Sequence, residues 1–179
     1  MNKMTIRVNE HIIIREITPN DAESLIEYVK KVSGETNFLT FSPDEFKTTV
    51  EKEKNALKKY SVRDNCLAII AVDNENRVVG MLDFEGGAKS RTKHSGEFGI
   101  TVLKKYWGKG IGRSMITYLI DWARDLRTIR KIDLKVRSDN SRGIKLYKNI
   151  GFVVEGEISR FFFINGVFYS VLCMGLKID

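Results

Sequence analysis

The hydrophobic period of this chain switches sharply at one place, and that junction constrains the fold more than any other feature. Phe98-Gly99-Ile100-Thr101-Val102-Leu103 is an apolar, strand-like run, whereas Ile111, Met115, Ile116, Leu119, Ile120 and Ala123 recur at helical spacing. Between them stands Tyr106-Trp107-Gly108-Lys109-Gly110-Ile111-Gly112-Arg113, with glycine at every second position from Gly108 to Gly112. Such a turn carries a strand into a helix with its backbone bare, so N–H groups converge on an anion while the helix adds the positive end of its dipole. The segment predicts a phosphate cradle. Glycines that merely let a strand pack closely on a helix are the bland alternative, but Lys104, Lys105, Lys109 and Arg113 crowd cations around this turn, as a multiply phosphorylated ligand requires. The pattern is neither a Walker loop, which needs Gly-x-x-x-x-Gly-Lys-Ser/Thr, nor a Rossmann fingerprint, whose last glycine is replaced by Arg113. Nucleoside triphosphates and dinucleotides are thereby disfavoured as ligands.

A chain of 179 residues, 42% hydrophobic and 30% charged, is long enough to bury a core without disulfides or metal and is expected to form one domain over residues 1–179. Cys66 and Cys173 lie inside apolar runs and read as small core side chains. His11 and His94 are far apart without ligand spacing, so no metal site is expected. The start of the chain lacks a leader pattern and no apolar run reaches membrane-spanning length, which makes the cytoplasm the expected location and a membrane an unexpected partner. The net charge of +7 favours anionic partners, yet the cations are spread along the chain and no nucleic-acid-binding motif is present. A basic nucleic-acid-binding module is therefore the weakest of the readings.

The remaining punctuation gives the element order. His11–Ile17 reads as a strand, followed by a helix that Thr18 caps with Pro19 in its first turn. Ser42-Pro43-Asp44-Glu45 has the form of a capping box and predicts a second helix from that point. Strands follow at Asn65–Asp73, Arg77–Phe84 and Glu97–Leu103; after the glycine turn and its helix come a strand at Lys131–Arg137 and a short helix from Ser141 to Asn149, capped near Asn140. The last two strands turn at Ile164-Asn165-Gly166-Val167, where Asn-Gly favours a two-residue hairpin. The order β-α-α-β-β-β-α-β-α-β-β describes an α/β (mixed α+β) protein with a central mixed, mostly antiparallel sheet and helices on both faces.

With this order, two motifs resemble the GNAT superfamily of acyl-CoA-dependent N-acyltransferases. Val102 to Gly112 is similar to the family's pyrophosphate loop, and Asn140-Ser141-Arg142-Gly143-Ile144-Lys145-Leu146-Tyr147-Lys148-Asn149-Ile150-Gly151-Phe152 resembles its asparagine-to-Leu-Tyr-x-x-x-Gly-Phe signature. Trp107, where Gln or Arg is usual, and Glu97-Phe98-Gly99 resemble the branch that acetylates ribosomal-protein N-termini. Ser170 departs from that branch, which commonly carries aspartate there. The resemblance implies acetyl-CoA as acyl donor, no metal, and a cofactor site made of Ile100, Thr101, Val102, Gly108, Lys109, Gly110, Ile111, Gly112, Arg113 and Asn140. A bulge near Val102 is expected to free a backbone N–H for the oxyanion.

Acetyl transfer to an amine needs a neutral nucleophile and a proton for the departing thiolate. A primary amine with a pKa of about 10.4 arrives charged, so a carboxylate must receive a proton. Glu97, heading the strand that leads into the cradle, is the first candidate base, with Asp83 and Glu85 as alternatives. Some relatives keep the base where this chain has Lys135, and that lysine supports a second reading, a noncatalytic acyl-CoA sensor. The resemblance places the Tyr147 hydroxyl beside the thioester sulfur as the acid. The acceptor is expected to be a small-molecule or peptide amine: a peptide N-terminus, an amino acid or a small amine, with polyamines disfavoured by the positive net charge. Phe161, Phe162, Phe163, Phe168 and Tyr169 serve either an acceptor site or, as strand aromatics commonly do, core packing or a homodimer surface.

Overall fold

Cys66 to Val72 is apolar without alternation, and every one of these residues is buried, as in a strand covered on both faces. It lies within an eight-stranded sheet of a computed structural model that describes residues 5–179. Met1–Met4, part of the start read above for a leader, fall outside the described residues. The elements are β1 (Ile6–Asn9), β2 (Ile12–Glu16), α1 (Ala22–Glu35), α2 (Val50–Leu57), α3 (Lys59–Val62), β3 (Cys66–Asp73), β4 (Val78–Gly86), β5 (Ser95–Val102), α4 (Ile111–Leu126), β6 (Lys131–Arg137), α5 (Ser141–Lys148), β7 (Val153–Ile164) and β8 (Val167–Lys177). Their order across the sheet is β1-β2-β3-β4-β5-β6-β8-β7.

All neighbours are antiparallel except β5 and β6, which pair in parallel from Ser95↔Lys131 to Glu97↔Asp133. Both strands run on beyond that register, to Val102 and Arg137, without pairing further with each other, while β5 stays paired to β4 and β6 to β8. The sheet is split open between them.

Side-chain alternation along β5 sorts the helices onto two faces. Thr101 meets the Tyr28 hydroxyl of α1 at 2.8 Å, whereas Phe98 packs on Tyr147 of α5 with ring centroids 6.1 Å apart. The α4 stripe Ile111, Met115, Ile116, Leu119 and Ala123 is buried. Each large apolar side chain there contributes about 1.5–3 kcal/mol by leaving water, so the helix N-terminus is firmly anchored.

Three sequence expectations change. A short edge strand, β1, precedes the first expected one and pairs with it; its four residues carry too little pattern to stand out. No helix begins at Ser42. Half of its capping box forms, with the Ser42 N–H donating to the Glu45 carboxylate at 2.6 Å, but the following Lys47-Thr48-Thr49 does not propagate a helix, and α2 starts at Val50, where the Thr49 hydroxyl accepts from the Lys52 N–H. One capped turn cannot offset the cost of nucleation when β-branched residues follow. A further helical turn, α3, follows α2.

Candidate active site

The glycine turn owes its path to two left-handed residues. Gly108 has φ +78° and Gly110 φ +81°, a region that side chains rarely adopt. Gly110 is the N-cap of α4 and provides no side-chain cap, so the first N–H groups of a sixteen-residue helix face the turn without an internal partner. Gly112, in the first turn of α4, lies against α5: a Cβ there would touch Leu146 Cδ2 at 3.4 Å, an ordinary contact. The loop and α5 are in contact at this point.

Trp107 ties the loop to the split. Its indole N–H donates to the Val102 carbonyl at 2.6 Å, while the Arg142 guanidinium lies 4.8 Å over its ring. Of the cations the sequence places around the turn, Arg113 lines the cavity described below. The Lys105 and Lys109 ammonium groups instead lie 5.8 and 5.0 Å over the Tyr106 ring, and the backbone N–H of Lys104 donates to the Glu35 carboxylate at 2.6 Å. Arg142, not singled out from sequence, supplies a second cation at the cavity wall. Its signal was present: it follows the motif asparagine by two positions on a helix that starts there.

The bulge expected near Val102 is not found. The β4–β5 register runs unbroken from Gly80↔Val102 to Gly86↔Gly96. Free donors arise from the split instead. Leu103 N–H donates to the Val79 carbonyl and Gly87 N–H to the Ser95 carbonyl, both at 2.9 Å, so odd-numbered residues of β5 turn their backbone toward β4. By alternation Ile100 and Val102 turn their N–H groups into the opening. Thr101 faces α1 through its bond to Tyr28.

Tyr147 stands at this opening, edge-on to Phe98 and Phe152, each ring centroid 6.1 Å away. Burial pushes its phenol up to about 12. The hydroxyl makes no hydrogen bond to another described residue, and it borders the cavity. Asn140 caps α5 as expected, its side-chain oxygen accepting from the Gly143 N–H at 3.0 Å, and lines the same cavity.

That cavity, about 1000 Å³, is continuous from the glycine turn to the α1–α2 side of the sheet. There it meets Glu53, Asp83, Glu85 and Glu97, with Lys135 and Arg137. Glu97 pairs with Lys135 and Glu85 with Lys59. Asp83 has no such partner among the described residues; burial raises its carboxyl above the usual range, opposed by Lys59 and reinforced by Glu85. Arg137, 9% exposed, is fully engaged. It grips Asp139 through two nitrogens at 2.7 and 2.8 Å, donates to the Asn37 carbonyl at 2.8 Å, and lies between Phe38 and Tyr169. It therefore fastens the segment after α1 onto β6 and β8.

The hairpin aromatics divide. Phe161 and Phe162 line the cavity, while Phe163 and Phe168, 65% and 51% exposed, stack on each other across the Asn-Gly turn. No cluster of His, Cys, Asp and Glu suited to a metal occurs among the described residues. Among these residues no helix is long and apolar enough to cross a membrane.

This geometry fits acetyl-CoA: a bare anion cradle, two cations beside it, an open strand edge for an extended arm, and a phenol at the end of that edge. The comparisons agree. The chain is 30% identical to an acetyltransferase of the GNAT family from Streptococcus pneumoniae, with a TM-score of 0.89 over 94% of this chain and 99% of that one. It shares its fold with the ribosomal-protein-S5-alanine acetyltransferase from Vibrio fischeri, at 22% identity, a TM-score of 0.80 and coverage of 98% and 97%. It is 23% identical to a spermidine N(1)-acetyltransferase of Vibrio cholerae, over 92% of this chain and 91% of the relative. Residues 35–152 match the model of the acetyltransferase (GNAT) family, and the chain belongs to that family, as an acetyl-CoA-dependent N-acetyltransferase.

Proposed function

We propose that this protein moves an acetyl group from acetyl-CoA directly to a primary amine, with both substrates bound together. The observation that carries the reading is the single cavity, which joins the glycine turn, the split strand edge, Tyr147 and a set of carboxylates. Gly108, Gly110, Ile111, Gly112 and Arg113, with Arg142, hold the pyrophosphate through backbone N–H groups and two guanidinium groups. Asn140 and the opened edge of β5 hold the pantetheine arm.

Acetyl-CoA supplies an activated acyl carbon, and the protein's own groups do the rest. The Ile100 and Val102 N–H groups, aimed into the split, stabilise the oxyanion that develops on the thioester carbonyl. Tyr147 donates to the sulfur as it leaves. Its raised pKa keeps it protonated over the whole working range, so the donor is always ready. A carboxylate on the α1–α2 side, Glu97 or a neighbour, receives the amine's proton.

The acceptor end is local in its electrostatics. Although the chain carries a net charge of +7, Glu53 and Asp83 border this cavity without a salt-bridge partner among the described residues, next to the lysine-paired Glu85 and Glu97, so two carboxylates there are left to attract an ammonium group. Phe38, Phe41, Phe46, Phe161 and Phe162 complete the wall and favour an amine attached to an apolar group. A peptide N-terminus, an amino acid or a small amine meets this description, and polyamines belong in the same test. A thiol-release screen of acetyl-CoA against amino acids, polyamines, aminoglycosides and peptides tests the reading. Amine-dependent release with at least one class is expected; release that no amine accelerates contradicts it.

A further inference from the structure

We propose that Asp83, reached across the bare backbone of Gly99, is the group that takes the proton of the acceptor amine. This assignment rests on the acetyl-transfer reading above and names its base.

Three carboxylates share the relevant face of the sheet, because Asp83 pairs in register with Gly99 and Glu85 with Glu97. Two of them are neutralised. Glu97 of β5 holds Lys135 of β6, and Glu85 of β4 holds Lys59 of α3. Each of these carboxylates already holds a lysine ammonium that an incoming acceptor ammonium would have to displace. Asp83 makes no hydrogen bond or ion pair with another described residue and borders the cavity.

Gly99 explains how a substrate reaches it. A Cβ at position 99 would lie 3.3 Å from Asp83 Oδ1, so any side chain there would cover the carboxylate. With glycine, the oxygen faces the cavity over β5, the strand whose opposite edge presents N–H groups to the thioester. Other charged or titratable groups that face Asp83 or share this end of the cavity are Lys59 and Tyr60 of α3, Glu53 of α2, Glu85 beside it on β4, Glu97 of β5, and Lys135 and Arg137 of β6, the last held by Asp139. Burial, with Asp83 itself next, pushes the Tyr60 phenol up to about 12, so it stays neutral. Burial likewise lifts the Asp83 carboxyl above its ordinary value, which makes it more basic than an exposed aspartate.

The protons balance. An alkylammonium carries three N–H protons and the amide product one. Asp83 takes the first, directly or through one water, and passes it to solvent. The freed lone pair forms the N–C bond as the C–S bond breaks, Tyr147 protonates the sulfur, and the second nitrogen proton restores the phenol through solvent.

The test compares Asp83→Asn, Gly99→Ala and Glu97→Gln with the wild type. Acetyl-CoA turnover is followed between about pH 6 and 9.5 with the best amine of the screen, a span that approaches the amine's own pKa, alongside acetyl-CoA affinity by calorimetry and thermal melting. Asp83→Asn should lower turnover by about 10²–10⁴-fold near neutrality, the range of general base catalysis, and recover as pH rises. Acetyl-CoA affinity should hold, and the melting temperature at pH 7 should rise slightly because a half-buried carboxylate has become neutral. Gly99→Ala should reduce turnover without that alkaline recovery, and Glu97→Gln should lose less than Asp83→Asn. Alkaline rescue in Glu97→Gln with a wild-type profile in Asp83→Asn overturns the assignment while leaving acetyl transfer intact. A wild type that binds acetyl-CoA but acetylates no amine overturns both.

Discussion

Removing the Tyr147 hydroxyl separates chemistry from packing, because the phenol oxygen has no hydrogen-bond partner among the described residues and the ring is held by two aromatic neighbours, Phe98 and Phe152, and the core behind them. In Tyr147→Phe the ring keeps both edge contacts, and no buried donor or acceptor is left orphaned, so the loss in stability should stay under about 0.5 kcal/mol, the usual range of substitutions that break no buried feature. For a chain of this length about 1 kcal/mol moves the melting temperature by roughly 2–4 °C, so the variant should melt within about 2 °C of the wild type. Turnover should nonetheless fall by about 10²–10⁴-fold, equivalent to roughly 3–5 kcal/mol of transition-state stabilisation. Tyr147→Ala is the contrast: loss of a half-buried aromatic that packs on the core costs up to about 3 kcal/mol, and it should melt lower by up to about 12 °C. Stopped-flow or steady-state thiol release, with melting curves on the same samples, measures both. If Tyr147→Phe turns over at the wild-type rate, or loses activity only in proportion to a loss of fold, the acid role of Tyr147 is wrong.

The other expectations concern the cradle, the clamp and pH. Gly110→Asp and Gly112→Asp should each abolish CoA binding in calorimetry while circular dichroism stays native, since negative charge enters a site built for phosphate; unchanged affinity in a folded variant would sink the cradle. Arg142→Ala should weaken CoA by about 10–100-fold, as expected for a charged hydrogen bond worth about 1.5–3 kcal/mol, and the deficit should shrink at high salt. Arg137→Met removes the links from β6 to Asn37, Phe38 and Tyr169 and should lower the melting temperature by about 4–12 °C, corresponding to roughly 2–3 kcal/mol; a variant as stable as the wild type refutes the clamp. The Tyr147 phenol is raised to about 12 in the fold from an ordinary 10, so its contribution to stability is complete below pH 10 and declines as pH climbs toward 12. Alkaline melting of Tyr147→Phe should lack that part of the decline.

Local signals of the fold were legible wherever chemistry and period agreed. The glycine turn, the Asn-Gly hairpin and the Asn140 cap stand where the residues place them, because each is dictated by backbone needs that few residue types meet. Ser42-Pro43-Asp44-Glu45 misled, since a cap signals a helix only if the residues after it propagate one. The site was legible in its motifs and opaque in its pairings. That Glu97 meets Lys135, that Asp83 has no ion pair among the described residues opposite Gly99, and that Arg142 lies on Trp107 are consequences of register across the sheet and of contacts between distant segments. The bulge expected at Val102 illustrates the limit: β5 is unbulged, its unpaired N–H groups come from the split between two parallel strands, and no local sequence pattern records where pairing stops.

The most direct measurement is release of the CoA thiol from acetyl-CoA by the wild-type protein, with and without each amine of the screen, together with mass spectrometry of the amine. The account predicts release that depends on the amine, saturates with it, and is matched mole for mole by the N-acetyl product. Tight acetyl-CoA binding with no acetylated amine from any class would contradict it.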